Sequence, residues 1–468
     1  MFLDIEKHPS ENLVAIDENG NSLSYGELVD SVNSLSKKIK KGTLVLCFTE
    51  NSFGSLVGYV TFLSNHVVPL LIDKNIDSDF LENLIEIYQP NYFWQPVSRS
   101  NDKYTVIFRL HDYELVETNC PDCHLHDELA LLITTSGSTG SPKLVRQSYK
   151  NIFSNALSIS SYLNIDEGER ALVNLPMHYV YGLSIINSHL IKGAMLLLTN
   201  KGVMQKDFWN FVKEYKASSF SGVPYTYEML KKIRFFNMDL PDLKTMTQAG
   251  GKLLPELHRN FAQYAKEKGK RFYVMYGAAE ATSRMGYLPA EVSLEKIGSM
   301  GKSIPGGQFS IIDDNGIEVA TPNTVGELVY WGENVTLGYA ECRLDLAKGN
   351  ERNNRLETGD VAQRDEEGYY YIVGRKKRFL KVFGNRVNLD EVEGLIKSRF
   401  SGIECACSGT DDKISIFIVD CELIDSIKKM LSDSMKINHS AFSFKVISDI
   451  PKNEAGKTLY SKLDCNYD

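Results

Sequence analysis

Residues 129–143 read Leu129-Ala130-Leu131-Leu132-Ile133-Thr134-Thr135-Ser136-Gly137-Ser138-Thr139-Gly140-Ser141-Pro142-Lys143. The apolar run 129–133 predicts a buried strand. The switch to hydroxyls, glycine and proline predicts that it runs into a polar loop. Such a loop suits a polyphosphate: glycines let the backbone come close, N–H groups and hydroxyls donate, and Lys143 adds positive charge. It is not a Walker loop, which needs Gly-x-x-x-x-Gly-Lys-Ser/Thr, because here Pro142 precedes the lysine. The competing interpretation is a Ser/Gly loop with no ligand.

Working outward, apolar runs alternate with helical patterns. Strands are expected at 43–49, 171–175, 194–198 and 272–275. The segment 151–163 places Ile152, Ala156, Ile159 and Leu163 on one helix face. This alternation predicts α/β layers with largely parallel sheets. Beyond about residue 300, short strands between Gly, Asn and Asp (309–312, 326–331, 369–373) predict a small β-rich subdomain. The basic run Arg375-Lys376-Lys377-Arg378 marks a boundary. After it come a helix near 389–400, an alternating strand at 414–418 and a helix near 423–435, enough for a small α+β domain. The expected domains are 1–376 and 377–468.

With 468 residues, 43% apolar and 24% charged, the chain is of ordinary globular composition and can bury a large core. A net charge of −8 implies no general affinity for nucleic acid or anionic membranes. Ser55–Ile72 is interrupted by Ser64, Asn65, His66 and Pro69, so a core helix leading into a strand is expected rather than a membrane span. Met1–Ser10 carries Asp4, Glu6 and Lys7 and does not read as a signal peptide. A cytoplasmic location is the expectation. The eight cysteines are scattered and are expected to be free thiols. Cys120-Pro121-Asp122-Cys123-His124 matches the haem-attachment spacing. Attachment needs export, and so short a loop suits tetrahedral zinc poorly, so a surface loop is expected.

Further segments bear on the opening loop. They are Leu23-Ser24-Tyr25-Gly26-Glu27-Leu28, Tyr276-Gly277-Ala278-Ala279-Glu280, Gly298-Ser299-Met300-Gly301-Lys302, Gly326-Glu327-Leu328, Thr358-Gly359-Asp360, Gly374-Arg375-Lys376-Lys377 and Asn453-Glu454-Ala455-Gly456-Lys457. With the loop, they resemble in kind and in order the motifs of the adenylate-forming superfamily: acyl- and aryl-CoA ligases, peptide-synthetase adenylation domains and luciferases. The resemblance spans nearly the whole chain. It implies a large multi-subdomain N-terminal domain with stacked sheets and a small mobile C-terminal domain. The implied chemistry is ATP-dependent activation of a carboxylic acid to an acyl-adenylate with release of pyrophosphate. Transfer to the thiol of CoA, or of phosphopantetheine on an acyl carrier protein, follows.

Joining a carboxylate to ATP brings two anions together, so the site needs a phosphate cradle, a metal, a cation at the reacting centre and a nucleoside pocket. By resemblance, Thr135, Ser136, Gly137, Ser138, Thr139 and Gly140 form the cradle, and Lys143 supports it or the leaving group. Glu280 is the implied Mg²⁺ ligand; one carboxylate with phosphate oxygens suffices for that ion. Tyr276 and Gly277 would face the adenine, with Gly250 and Gly251 as the opposing wall. Asp360 and Arg375 would hold the ribose. Lys457 is the implied adenylation lysine, its compact charge suited to the developing anion. Lys377 is the implied hinge, and Gly384, Asn385 and Arg386 the face offered to the thiol. One residue departs from the family pattern: Ala279 stands where a threonine hydroxyl usually meets the α-phosphate, at an expected cost of about 1–3 kcal/mol.

The segment Leu175-Pro176-Met177-His178-Tyr179-Val180-Tyr181-Gly182 resembles the acid-pocket segment of acyl- and aryl-CoA ligases, with His178 displaced by one position. His178, Tyr179, Tyr181 and Val223 are therefore pocket candidates, though each also suits a plain core. No aspartate stands nearby to pair a substrate ammonium. Two alternatives remain open: an amino-acid-activating ligase that loads a carrier protein, and, because of Ala279, a non-catalytic nucleotide- or acyl-binding relative. No carrier module follows Asp468, so the expected thiol comes from CoA or a separate protein.

Overall fold

The computed structural model describes residues 1–100, 103–134, 143–383, 385–400, 402–410, 412–419, 421–435, 437–452, 458–460 and 462–463; at 377, 379, 381, 385 and 386 it describes the backbone alone. Two compact units are distinguished: Met1–Phe309 with Tyr330–Leu356, and Ser310–Val329 with Glu357–Asp468.

The first unit is built on two large sheets. One has eight strands in the order Gly338–Ala340, Leu144–Ser148, Leu129–Thr134, Val68–Asp73, Leu44–Thr49, Tyr92–Pro96, Tyr113–Glu117 and Thr105–Leu110. Its centre is parallel, with Leu44–Thr49 beside Val68–Asp73 and Val68–Asp73 beside Leu129–Thr134. Leu44–Thr49 is buried along its whole length, as a parallel strand covered on both faces must be. The expected core helix is Phe53–Ser64, apolar nearly all round and buried from Gly54 to Leu63. It leads into Val68–Asp73 as anticipated.

The strand Leu129–Thr134 pairs antiparallel with Leu144–Ser148, Thr134 opposite Leu144. The Ser/Thr/Gly segment therefore links two neighbouring antiparallel strands, whereas a Walker loop opens a helix. The second of those strands runs straight into helix Tyr149–Tyr162. Ser148 caps that helix by accepting from the Asn151 N–H, and the Asn151 side chain caps Ser148 in return.

The other sheet has nine strands in the order Lys302–Ser303, Gly286–Leu288, Arg271–Tyr276, Thr245–Gln248, Ser219–Gly222, Arg170–Val173, Met195–Leu198, Leu13–Asp17 and Ser22–Ser24. Its interior, from Arg271–Tyr276 to Leu13–Asp17, is parallel. Parallel strands need crossover connections, and helices Val180–Leu190, Lys206–Glu214, Pro224–Lys232 and Pro255–Glu267 supply them.

The strand Arg355–Arg364, in the second unit from Glu357 onward, pairs there through Asp360–Arg364 antiparallel with Tyr370–Arg375, part of the β-rich region expected after residue 300. The end of the chain is α+β. The sheet Cys405–Thr410, Lys413–Ile418, Phe442–Val446 packs with helices Leu389–Arg399 and Ile424–Met435 around Val392, Ile396, Ile416 and Leu431. The fold class is thus α/β, with a large N-terminal domain and a small α+β C-terminal one. No described helix is long and apolar enough to cross a membrane. In the 120–124 loop Cys123 packs partly buried against the core of the eight-stranded sheet, and the described cysteines are free thiols.

Candidate active site

Glu280 lies in a single 3₁₀ turn, Ala279–Ala281, just beyond strand Arg271–Tyr276. Its backbone carbonyl accepts from the Thr336 N–H at 3.0 Å, Thr336 Oγ1 at 2.9 Å and Arg352 Nη1 at 3.0 Å. Its side chain is held separately: Tyr339 Oη donates to Glu280 Oε1 at 2.7 Å. The same tyrosine ring carries two cations. Lys143 Nζ lies 3.8 Å from its centroid and the Arg352 guanidinium 4.5 Å. Lys143 also pairs with Glu341 at 3.2 Å. Burial, reinforced by the Glu280 carboxylate, pushes the Tyr339 phenol up to about 12, so its hydroxyl remains a donor at any working pH.

Strand pairing makes this cluster. Gly338–Ala340 lies beside Leu144–Ser148, with Tyr339 opposite Val145 and Ala340 opposite Leu144. That register brings the tyrosine next to the strand Lys143 enters. Arg146, fully buried within this strand, donates Nε to the Tyr339 carbonyl at 2.9 Å and pairs with Glu351. Among the described residues no lysine or arginine pairs with the Glu280 carboxylate, and no three metal-ligating side chains converge. A hard cation here would be held by one carboxylate and by ligand oxygens, a donor set that fits Mg²⁺ with a polyphosphate.

Tyr276 ends strand Arg271–Tyr276, its ring 6.2 Å from Phe309. Gly277 is required by close approach: a Cβ there would lie 1.7 Å from the Ser283 carbonyl oxygen. The chain then turns at Thr282, whose φ of 63° and ψ of −59° form a tight γ-turn closed by the Ser283 N–H on the Ala281 carbonyl at 2.6 Å. A β-branched residue at positive φ is strained. Asn334 holds it, accepting from Thr282 Oγ1 at 2.7 Å and donating to the carbonyls of Ala281 and Arg284. Thr282 therefore spends its hydroxyl on the fold and does not substitute for the one absent at Ala279.

The acid-pocket candidates separate into two groups. Gly250 follows strand Thr245–Gln248 with φ +86°; a Cβ there would come 2.6 Å from Tyr179 Oη and 3.1 Å from Val223 Cγ1. The structure thus brings Gly250, Tyr179 and Val223 together, with Gly251 against Pro224. Burial raises the Tyr179 phenol. Tyr181 is buried and donates to the Thr247 carbonyl at 2.9 Å. His178 goes elsewhere, to the ends of two strands of the eight-stranded sheet. Its Nδ1 meets Thr49 Oγ1 at 3.2 Å, and its Nε2 lies 3.8 Å from Asp73.

In the second unit Asp360 and Arg375 are register partners, Arg375 Nε 3.4 Å from Asp360 Oδ1. Lys377 sits in the 3₁₀ turn Lys376–Arg378. Its neighbour Arg378 is anchored on the C-terminal body by Asp390, by Glu393 at 2.6 Å and by stacking 3.9 Å over Tyr460. Burial raises the Glu393 carboxyl despite this guanidinium. Arg386 lies opposite Lys381 in the hairpin Phe379–Val382/Asn385–Asn388. Residues 135–140, Gly384 and Lys457 lie outside the described residues.

Sequence reasoning missed Tyr339, Arg352, Arg146 and Arg284. Their only signal was charge or an aromatic ring in short segments without periodicity.

A family model described as AMP-binding enzyme matches residues 3–340. A 2-succinylbenzoate–CoA ligase of Bacillus pumilus is 26% identical over 459 residues, covering 94% of this chain and 92% of the relative. An oxalate–CoA ligase of Saccharomyces cerevisiae is 27% identical over 370 residues, covering 75% and 66%. The Bacillus subtilis o-succinylbenzoate CoA synthetase solved with its acyl-adenylate superposes with a TM-score of 0.82 at 21% identity, over 99% of this chain and 97% of that one. With the motifs in order and the fold matched end to end, the chain belongs to the AMP-binding enzyme family, within the adenylate-forming superfamily.

Proposed function

We propose that this protein is an AMP-forming acid–thiol ligase: it activates a carboxylic acid with ATP and passes the acyl group to CoA. The observation that carries this is the Glu280–Tyr339–Lys143 cluster, which sets one carboxylate and one lysine on a shared ring at the exit of the Ser/Thr/Gly segment. Lys143 and the segment's hydroxyls bind the outer phosphates. Glu280, oriented by Tyr339, holds the metal, and a bound Mg²⁺ supplies charge neutralisation of the phosphates. Tyr276 and the Gly250–Gly251 wall flank the adenine, and Asp360 with Arg375 takes the ribose. Tyr179 and Val223 line the acid pocket. Lys457 offsets the charge that develops as the acid attacks the α-phosphorus. Rotation about Lys377 then exchanges Lys457 for the Gly384–Arg386 face, which receives the thiol. The site of action is the cytoplasm.

ATP–pyrophosphate exchange with Mg²⁺ and no thiol tests the first half-reaction. The acids to try first are 2-succinylbenzoate and oxalate, named for the relatives above, then fatty, aryl, hydroxy and amino acids. Exchange stimulated by one acid class is expected, followed by thioester and AMP on adding CoA. A carrier protein presents the same thiol chemistry, and transfer to it alone would reassign the acceptor. Bound ATP without exchange for any acid would sink the proposal and favour a non-catalytic relative.

A further inference from the structure

We propose that Arg352 is a second phosphate-binding cation of the active site, holding the outer phosphates of ATP and the pyrophosphate they become; this rests on the acid-activating function proposed above. Arg352 lies in the link between strands Gly338–Ala340 and Arg355–Arg364 and is half-buried. Its Nη1 donates to the Glu280 carbonyl at 3.0 Å and to Thr336 Oγ1 at 2.8 Å. Its guanidinium lies 4.5 Å from the centre of the Tyr339 ring, whose hydroxyl meets the Glu280 carboxylate. The head group is thus fixed against the backbone of Glu280 and against the side chain that orients Glu280. Lys143 Nζ lies 3.8 Å from the same ring centre, so two positive charges converge there.

The charge of Arg352 is not balanced by the protein. The acids around it are engaged elsewhere: Glu351 with Arg146 and Lys348, Asp345 with Lys348, and Glu341 with Lys143. Among the described residues no carboxylate lies within ion-pair distance of Arg352, and no described residue accepts from its Nε or Nη2. Anchoring the Glu280 carbonyl and the Thr336 hydroxyl needs only a neutral donor, so that role leaves the charge unexplained. A guanidinium has five N–H donors. With Nη1 committed, Nε and Nη2 remain, and these share one edge of the planar group, the fork that meets two oxygens of a phosphate at once. A polyphosphate supplies both the oxygens and the opposite charge. The neighbours decide which phosphates are meant: Arg352 touches Glu280 and Tyr339, on the side of the site that takes the metal and, through Lys143, the outer phosphates. As the acid's carboxylate oxygen bonds to the α-phosphorus, the bond to the bridging oxygen breaks and its electron pair leaves on pyrophosphate. Negative charge therefore grows on the group that Arg352 and Lys143 hold, where two fixed cations count most.

The test uses the full chain as wild type, Arg352→Gln, which keeps side-chain N–H donors but removes the charge, and Arg352→Lys, which keeps the charge. ATP–pyrophosphate exchange is run with the acid that wild type activates, at saturating Mg²⁺, so that a shift in metal affinity through Glu280 does not enter. AMP, which lacks the outer phosphates, is titrated separately by calorimetry. Arg352→Gln should raise KM for pyrophosphate by about 10- to 100-fold, the weight of a charge-assisted contact. Its affinity for AMP, and its thioester formation from preformed acyl-adenylate, should stay within about threefold of wild type. Arg352→Lys should recover most of the loss. A pyrophosphate KM unchanged in Arg352→Gln would overturn the inference, and so would an equal loss of AMP affinity, which marks a purely structural role. If neither variant folds, wild type decides: pyrophosphate, but not AMP, should shield Arg352 from phenylglyoxal when modified peptides are mapped. Modification of Arg352 to the same extent with and without pyrophosphate would overturn the inference. Silence of wild type towards every acid, with ATP still bound, would instead overturn the acid-activating function itself.

Discussion

Replacing Tyr339 by phenylalanine removes one oxygen and keeps the ring on which Lys143 and Arg352 rest. It therefore isolates the hydroxyl that donates to Glu280 at 2.7 Å. A hydrogen bond to a charged group is worth about 1.5–3 kcal/mol. At about 1.4 kcal/mol per tenfold, its loss corresponds to a factor of about 10 to 100, the range seen when a partner that orients a metal-binding carboxylate is removed. The Mg²⁺ half-saturation of ATP–pyrophosphate exchange should rise by that factor, while kcat at saturating Mg²⁺ stays within about threefold. Direct binding of Mn²⁺ in the presence of ATP, followed by electron paramagnetic resonance, should weaken in parallel. A metal titration that superimposes on wild type by both measures would refute the assignment of Glu280 as the metal ligand positioned by Tyr339.

Gly250→Ala places a methyl against Tyr179 Oη and Val223 in a left-handed backbone. The backbone term alone should cost about 1–2 kcal/mol, visible as a lower unfolding midpoint together with a raised KM for the acid. An unchanged KM would separate Gly250 from the pocket. In the second unit, Arg378→Met leaves Glu393 buried without its guanidinium, and a loss of about 3–5 kcal/mol is expected near neutral pH. Because the folded Glu393 carboxyl titrates above its unfolded value, its contribution is favourable below the unfolded pKa and is lost as pH rises through the folded one. The defect in urea unfolding should therefore shrink in acid; a defect that grows towards acid would contradict it. Lys457→Ala should abolish exchange while sparing thioester formation from preformed acyl-adenylate, and equal loss of both half-reactions would count against domain alternation.

Much of the scaffold was legible because the signals were local. The apolar run 129–133, the strand expected at 43–49 and the one-faced helix expected at 151–163 each follow from a few adjacent residues. Strand order was not legible, since it depends on which apolar edges meet. That is why the partnership of Gly338–Ala340 with Leu144–Ser148, and hence Tyr339, escaped notice: a strand of this length carries no periodicity. Buried arginines were missed for a different reason. Arginine in a sequence predicts surface, yet Arg146 and Arg284 are interior, and only the three-dimensional neighbourhood shows what each charge meets. Tyr179 and Val223 were named from the chain as pocket candidates and Gly250 as part of the adenine wall, but their mutual contact was not. His178, their neighbour in sequence, turns away to Thr49 and Asp73.

The position of Tyr339 has a consequence for the resting enzyme. A lysine and a glutamate facing each other across a cleft would collapse into an ion pair, and a ligand would have to break it. Here an aromatic ring stands between them: the ammonium sits on the face, the carboxylate takes the hydroxyl at the edge, and no ion pair joins the two. The ring works as an electrical insulator that is itself attractive to both sides. Lys143 rests on the ring and pairs with Glu341, and Glu280 is held by the hydroxyl; a ligand carrying phosphate and metal together therefore has no direct Lys143–Glu280 bridge to break.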